Sequence, residues 1–309
     1  MPRAVALFNG TLDAALAVRL MQSQGIEVEA VWVRTPCNLR ELRVRAAAER
    51  LQFPLTILPP ADDLAELVIL PTRASRHATP CRDCRVSLFR VARRYAEQTS
   101  ADFGISGEVL GQDPHLQRRR DLEMIAIASG WEDRLLRPLS ALRMPETRAE
   151  RAGLVDRQKL LDFQGESRKP QLELARQWQL DGESWPSATC ALLDGTLAAH
   201  IDRIARSGRA MDCWTIEVLR CGRIEWLANN IAVVISRREE EGMALRTLFA
   251  RNDARQATMI EPVTTPGPVA IALVSNLNAS IRDQACNLIR QRMRGELDNI
   301  EWLIQSRER

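Results

Sequence analysis

The sequence predicts an α/β protein in which a parallel-sheet domain is followed by a smaller α+β domain. Short apolar runs rich in β-forming residues alternate with segments of helical spacing through most of the 309 residues, and this alternation is typical of βαβ units. After Asp212, strand-like runs and amphipathic segments follow one another more closely. We therefore assign residues 1–205 to the first domain, 206–212 to a linker and 213–309 to the second domain.

The first domain contains four predicted strands with helices between them. The strands are Ala4–Phe8, Val28–Val33, Leu55–Leu58 and Phe103–Ser106, and the helical segments are Leu12–Gln24, Leu39–Leu51 and Val86–Thr99. Right-handed crossovers bring the carboxyl ends of parallel strands to one edge of the sheet, where ligands of open α/β sheets bind. We expect the turn after Phe8 and the loop after Ser106 to lie at that edge.

The remaining elements are predicted from local patterns. A charged, loop-like stretch from Leu139 to Gln164 precedes a helix starting near Pro170, because proline fits a first helical turn. Leu197–Ile204 is a further helix. In the second domain the predicted strands are CWTIEVLR, RIEWLA, IAVVISR and the end of PGPVAIALV, and the predicted helices are Glu239–Ala250 and Ala279–Arg294.

Composition sets limits on location and partners. The apolar content of 45% supports a full core, and the net charge of +3 excludes a general polycation effect. No apolar stretch approaches the roughly 18 residues of a membrane helix, and the start of the chain lacks the pattern of a signal peptide. We expect a cytoplasmic protein without a membrane partner. Lys159 and Lys169 are the only lysines, so the basic side is arginine, which reflects either composition bias or binding of phosphate.

The opening stretch AVALFNGTLDAALAVRL reads as a strand, a tight turn and a helix. A helix N-terminus offers free N–H groups and a positive dipole end, and both attract anions. Asn9 and Thr11 could donate to such a ligand, or they could simply cap the helix. The local sequence leaves both interpretations open.

A CxxC pair, Cys81 and Cys84, precedes the predicted helix at Val86. In a cytosolic protein this spacing indicates metal or redox chemistry, and the helix dipole together with Arg82 and Arg85 is expected to lower the pKa of the thiols. With Cys190 the pair could hold an iron–sulfur cluster, or one cysteine could carry sulfur while another resolves it. The other four cysteines are expected to be small buried residues: Cys37, Cys213, Cys221 and Cys286.

The stretch GISGEVLGQDPHLQRRRD leaves the fourth strand. Gly107 and Gly111 allow close approach of the backbone, Gln112 is a donor, and Arg118–Arg120 form a basic run. These features favour binding of a nucleotide or a nucleic-acid backbone. The alternative is a solvated turn followed by a charged helix start.

Together these motifs resemble the PP-loop (adenine-nucleotide α-hydrolase-like) enzymes of tRNA thiolation, and are most similar to the 2-thiouridylases and 4-thiouridine synthases. The resemblance covers roughly residues 3–200 and rests on the strand–turn–helix loop, PCRDCR, GEVLGQ with QRR, RPLSA, SRKPQLELA and a lone cysteine after WPS. More weakly, the second domain is similar to the RNA-binding-type R domain of NFACT proteins, through ISRREEEGMALRTLF and PGPVAIAL.

The resemblance implies a Rossmann-like PP-loop ATPase domain and a defined reaction. ATP with Mg²⁺ would adenylate a uridine oxygen of tRNA, and sulfur from a donor protein or sulfide would then displace AMP. Cys81, Cys84, Cys190 and Asp13 would be catalytic, and the three cysteines would hold a 4Fe–4S cluster in cluster-dependent members. A homodimer is compatible with the family, and the oligomeric state stays open. The implied nucleotide-binding residues are Phe8, Asn9, Gly10, Thr11, Asp13, Ser106, Gly107, Gly111 and Gln112.

The sequence departs from the family pattern Ser-Gly-Gly-x-Asp-Ser at three positions. Asn9, Thr11 and Ala14 replace Ser, Gly and Ser, and a Cβ at Thr11 opposes the glycine-like backbone and close phosphate approach. Asp113 stands where the family has Arg, and Ser236 where the second domain would have Gly. One hypothesis is an active ATP-dependent tRNA sulfurtransferase. The others are a paralogue that binds RNA without adenylation and a sulfur-trafficking scaffold without an RNA role.

Overall fold

The structure is a computed structural model that describes most of the chain. The described residues are 1–36, 41–59, 64, 79–114, 116–180, 185, 195–209, 211–293 and 300–308. Contacts divide the chain into two units, Met1–Cys190 and Ala191–Arg309. Among the described helices, none combines the length and the apolar character needed to cross a membrane.

The first unit contains a five-stranded parallel sheet of order β3-β2-β1-β4-β5. Its strands are β1 (Arg3–Leu7), β2 (Glu27–Val33), β3 (Leu55–Leu58), β4 (Phe103–Ser106) and β5 (Leu135–Leu136). Its helices are α1 (Leu12–Ser23), α2 (Glu41–Arg50), α3 (Thr79–Gln98), α4 (Arg119–Ala128), α5 (Arg148–Arg151) and α6 (Lys169–Gln177), with 3₁₀ turns at Glu132–Arg134, Ala141–Arg143 and Arg157–Lys159. The parallel α/β fold predicted from the sequence is confirmed.

Both faces of this sheet are covered, as the apolar strands predict. On one face Ala6 and Phe8 pack in a core with Leu16 of α1 and Val44 of α2. On the other face Val5 shares a core with residues of the two helices that flank β4, Phe89 of α3 and Ile125 of α4, together with Trp131. Alternating residues of β1 therefore serve opposite cores, which fixes the carboxyl end of the strand and the turn that follows it.

The second unit contains an antiparallel sheet of order β10-β8-β9-β7-β6. Its strands are β6 (Arg223–Leu227), β7 (Ile231–Ile235), β8 (Ala257–Pro262), β9 (Ala270–Ala272) and β10 (Trp302–Arg307), and its helices are α7 (Gly195–Arg206), α8 (Cys213–Arg220), α9 (Glu239–Ala250) and α10 (Ala279–Arg290), with a 3₁₀ turn at Ala228–Asn230. Helix α10 packs Ile281, Ala285 and Ile289 against one face of the sheet. The smaller α+β arrangement is confirmed.

Two local predictions are wrong. The run CWTIEVLR is helix α8 and not a strand; Asp212 caps it, since its Oδ1 accepts from Thr215 N–H at 2.7 Å, and an eight-residue apolar run is ambiguous between the two states. The CxxC does not precede its helix, because α3 already includes Thr79. Residues 195–206, which the sequence assigned to the first domain, belong to the second unit, where Arg203 Nε donates to Asn230 Oδ1.

Candidate functional site at the carboxyl edge of the parallel sheet

The turn after β1 is closed by its own side chains. Asn9 Oδ1 accepts from both the N–H of Thr11, at 3.2 Å, and its hydroxyl, at 2.7 Å. Thr11 is the N-cap of α1, and its Oγ1 accepts from Ala14 N–H at 3.4 Å. Two of the four N–H groups that an α-helix start leaves unpaired are thus occupied. The N–H groups of Leu12 and Asp13 form no hydrogen bond with any described residue.

The loop after β4 lies directly against this helix start. A Cβ at Gly107 would lie 2.4 Å from the backbone nitrogen of Ala14, so only glycine allows this approach. Gly10 has a φ of +73°, a conformation that glycine adopts at low cost. Two separate sequence motifs therefore meet at the first turn of α1, as predicted for the edge of the sheet.

Asp13 is the centre of a buried polar cluster that we call the Asp13 cluster: Asp13, Gln112, Arg168 and Gln171. Gln112 Nε2 donates to Asp13 Oδ2 at 3.0 Å, and Gln171 Nε2 donates to Gln112 Oε1 at 3.1 Å. Arg168 Nη2 lies 3.5 Å from Asp13 Oδ2. Helix α6 supplies Gln171, and the residue before it supplies Arg168, so a third motif reaches the same point.

The Asp13 cluster is incompletely satisfied. Asp13 Oδ1, Gln171 Oε1 and Arg168 Nε are buried without a hydrogen-bond partner among the described residues. Burial raises the pKa of the Asp13 carboxyl, and this effect outweighs the opposing influence of Arg168 and Gln112. Buried polar atoms are normally paired, so orphaned donors and acceptors at one place indicate a polar ligand. The residues present therefore fit a nucleotide, with Arg168 and the two unused N–H groups of α1 facing its phosphates.

A second buried network connects the loop after β4 to the sulfur helix. Arg137 Nε donates to Glu108 Oε2 at 2.9 Å, and this pair is almost fully buried. Ser106 Oγ donates to the same oxygen at 3.1 Å, and Arg85 Nη1 lies 3.3 Å from Glu108 Oε1. Because Arg85 follows Cys84 directly, Glu108 ties α3 to the glycine loop.

Cys81 and Cys84 lie in the first two turns of α3 and are half-buried. Their i, i+3 spacing places both thiols on one face of the helix. Arg82, between them, pairs with Asp121 at 2.8 Å, so its charge is shared with a carboxylate. Cys190 lies outside the described residues. In the described part of the chain, no three His, Cys, Asp or Glu side chains are arranged to hold a metal.

The other predicted site residues serve mainly as framework. The Phe8 ring packs edge-on against Phe53 at 5.0 Å, and its N–H donates to Val31. Gly111 has a φ of +75°, and its N–H donates to Gln117 O at 2.7 Å. Asp113 Oδ1 accepts from Leu116 N–H. The predicted residue list missed Arg168, Gln171, Glu108 and Arg137, although the quoted stretches SRKPQLELA, GEVLGQ and RPLSA contain them.

No protein-family model and no curated protein matches this chain. Solved structures with some similarity exist. The predicted subunit of a tRNA methyltransferase from Methanocaldococcus jannaschii has 9% identity and a TM-score of 0.39, over 57% of this chain and 76% of that one. The U34-tRNA thiolase NcsA from Methanococcus maripaludis, with its [4Fe-4S] cluster, has 14% identity and a TM-score of 0.32, over 70% and 69%.

A third neighbour is a 4-thiouridine synthetase in complex with RNA and with bound ATP. It has 23% identity and a TM-score of 0.37, over 44% of this chain and 36% of that one, so the match spans about a third of the synthetase. These neighbours include tRNA thiolation proteins, but each TM-score is below 0.5. The parallel sheet of the chain itself therefore establishes the fold, and its own residues carry the functional argument.

Proposed function

We propose that the chain is an ATP-dependent tRNA sulfurtransferase of the PP-loop type, which thiolates a uridine. The observation that carries the proposal is the convergence of three separate motifs at the first turn of α1. The close approach at Gly107, the Asp13 cluster and its orphaned atoms form a polar site at the carboxyl edge of the sheet. Glu108 connects this edge to the helix of Cys81 and Cys84 through Arg85.

In the proposed reaction ATP is a substrate that turns the uridine oxygen into a leaving group. The oxygen attacks the α-phosphorus and pyrophosphate leaves; sulfide-level sulfur then forms the C–S bond while the C–O bond to AMP breaks. Arg168 and the free N–H groups of α1 would orient the phosphates. Cys81, Cys84 and Cys190 would present the sulfur, as a cluster or as persulfide, because thiolate sulfur is a strong nucleophile near neutral pH.

The test is thiolation of an unmodified tRNA transcript by anaerobically prepared protein, with ATP and sulfide supplied. We expect AMP, pyrophosphate and thiouridine in equal amounts. Arg168→Ala should raise the ATP concentration needed about tenfold, since a charge-assisted contact is worth roughly 1.5–3 kcal/mol. Arg176→Ala is the matched control, because Arg176 is an exposed arginine of the same helix. Formation of thiouridine without AMP would contradict the proposal.

A second candidate function is RNA binding without adenylation, and one observation favours it. Asn9 and Thr11 occupy the Thr11 and Ala14 N–H groups, which are donors that a triphosphate at this turn would use. The altered positions are thus matched to one another: the side chains that depart from the family pattern satisfy the backbone of the turn.

The combined change Asn9→Ser, Thr11→Gly and Ala14→Ser separates the two candidates. If the chain binds tRNA but not ATP at millimolar concentration, and this variant binds ATP, the second candidate is correct. If the unaltered chain binds ATP and releases AMP with tRNA, the first is correct. Calorimetric titration with ATP, performed beside a salt series with tRNA, measures both partners on the same protein.

A further inference from the structure

We propose that the second unit contains a separate binding site for a phosphate ester, in an arginine-lined cavity at the start of α9. The cavity has a volume of about 360 Å³, at the lower end of the range for small-ligand pockets. Four arginines, Arg223, Arg237, Arg238 and Arg292, contribute to its wall. This proposal does not depend on the proposed function of the first unit.

The four arginines come from three parts of the fold that meet at one end of the antiparallel sheet. Arg223 opens β6 and is paired in register with Ile235 at the end of β7. Arg237 and Arg238 lie in the connection from β7 to α9, and Arg292 follows α10. Since these positions are far apart in the sequence, their convergence is a property of the fold and not of a local basic run.

Two of these arginines are held by carboxylates and two are not. Arg237 pairs with Glu241 at 2.6 Å, and Arg292 pairs with Glu225 at 2.5 Å. Arg223 and Arg238 form no ion pair with any described residue. Their charges are therefore available to an anion, although the wall also includes the carboxylate of Glu239.

The cavity also contains a donor that lacks an acceptor. Arg292 Nη1 donates to Leu288 O and Nη2 to Glu225, but Nε is buried with no hydrogen-bond partner among the described residues. An unsatisfied buried N–H costs free energy, and a ligand oxygen in the cavity is the partner that it needs. The guanidinium fork is suited to phosphate geometry.

The start of α9 adds backbone donors at the same place. Its N-cap residue is Arg238, which forms no side-chain capping bond. The N–H groups of the first turn, which have no acceptor within the helix, are thus left to an external anion. Ser236 Oγ accepts from Val269 N–H at 3.0 Å and fixes the loop that presents this turn. Phosphate is the chemistry that satisfies these donors together, and its source is either an RNA chain or a mononucleotide.

The test uses the full chain and three probes: an unstructured 12-nucleotide RNA, AMP and inorganic phosphate. The variant Arg223→Gln with Arg238→Gln removes the two unpaired charges and keeps the side-chain length. We expect it to lose about tenfold or more in affinity for the probe that binds, as two charge-assisted contacts predict. The matched control is Arg282→Gln, an exposed arginine of α10 about 15 Å along the helix from Arg292, and it should change affinity less than twofold.

A change of opposite sign tests that charge is the cause. Glu239→Gln removes the carboxylate from the wall and should tighten binding. If RNA is the source, the slope of log affinity against log salt should fall by about 0.7 for each arginine lost; if AMP or phosphate binds and RNA does not, the ligand is a mononucleotide. The proposal is overturned if no probe binds, or if Arg282→Gln weakens binding as much as the double variant. Thermal unfolding of each variant confirms that it is folded.

Discussion

Two helices of this chain begin beside the end of a strand, and their first turns are treated in opposite ways. At α1 the residues Asn9 and Thr11 cap the N-terminus, and Asp13 adds a carboxylate. At α9 the N-cap is an arginine without a capping bond, and further arginines surround the turn. The same local element is closed by its own side chains in one unit and left to an external anion in the other.

This difference shows that a helix N-terminus near a strand end is not evidence of an anion site by itself. What decides is whether the donors of the first turn are already used, and by which side chains. At α1 the remaining indication of a ligand comes from the orphaned atoms of the Asp13 cluster. At α9 it comes from the cavity and from Arg292 Nε. Four predictions break or sharpen this comparison.

The largest effect is expected from the ion pairs that flank the two turns. Arg137→Ala leaves Glu108 buried with only the more distant Arg85, and should cost about 3 kcal/mol of unfolding free energy. Arg237→Ala removes an exposed pair with Glu241 and should cost about 0.5 kcal/mol or less. Urea unfolding followed by hydrogen exchange reads the peptides of each unit separately. Equal losses would show that burial does not distinguish the two pairs.

A control for the first prediction replaces both partners. Arg137→Met with Glu108→Leu removes the stranded charge, so the double variant should lose less than Arg137→Ala alone. If it loses more, the shape of these side chains and not their charge supports the loop after β4.

The next effect concerns glycines that contact each turn. Gly107→Ala places a Cβ 2.4 Å from Ala14 N and should destabilise the first unit by about 2 kcal/mol, because the overlap is with backbone. Gly242→Ala lies inside α9, where the nearest atom would be at 3.4 Å. It should stabilise the second unit by about 0.5–1 kcal/mol through helix propensity. Thermal unfolding of both variants gives the two signs directly.

The third prediction exchanges the caps. Thr11→Ala removes the acceptor of Ala14 N–H and should cost about 1 kcal/mol. Arg238→Ser supplies a capping side chain to α9, and should gain about 1 kcal/mol while weakening the binding of the phosphate ester. A more stable Arg238→Ser variant with unchanged ligand affinity would separate capping from binding and contradict our account of α9.

The sequence predicted much of this fold because its signals are local. The strand at Ala4–Phe8 and the helix after it follow from apolar spacing within a few residues. Helix α8 was missed because its apolar run is too short to distinguish periods. The Glu108–Arg137 pair joins residues 29 apart, and the bond from Thr11 to Asn9 depends on side-chain orientation. The motifs named the neighbourhood of the site, but only coordinates show which donors remain unused.

The smallest expected effect is a pH dependence of opposite sign at the two turns. Burial raises the pKa of Asp13 above its usual value of 3.8. Its contribution to stability is therefore full below that value and is lost as pH rises through the folded-state pKa. Asp13→Asn cannot titrate, so it should become more stable relative to the unaltered chain between about pH 3 and pH 7.

Glu241 should show the reverse. Burial alone would raise the pKa of its carboxyl, but the hydrogen bonds and charge of Arg237 outweigh burial and hold it below the usual 4.5. Its stabilisation is present above that value and is lost as pH falls through the folded-state pKa, so Glu241→Gln should lose stability relative to the unaltered chain as pH rises. Urea midpoints measured across the range test both signs. If both variants change in the same direction, the two first turns do not differ in their electrostatics, and the contrast between them reduces to capping geometry.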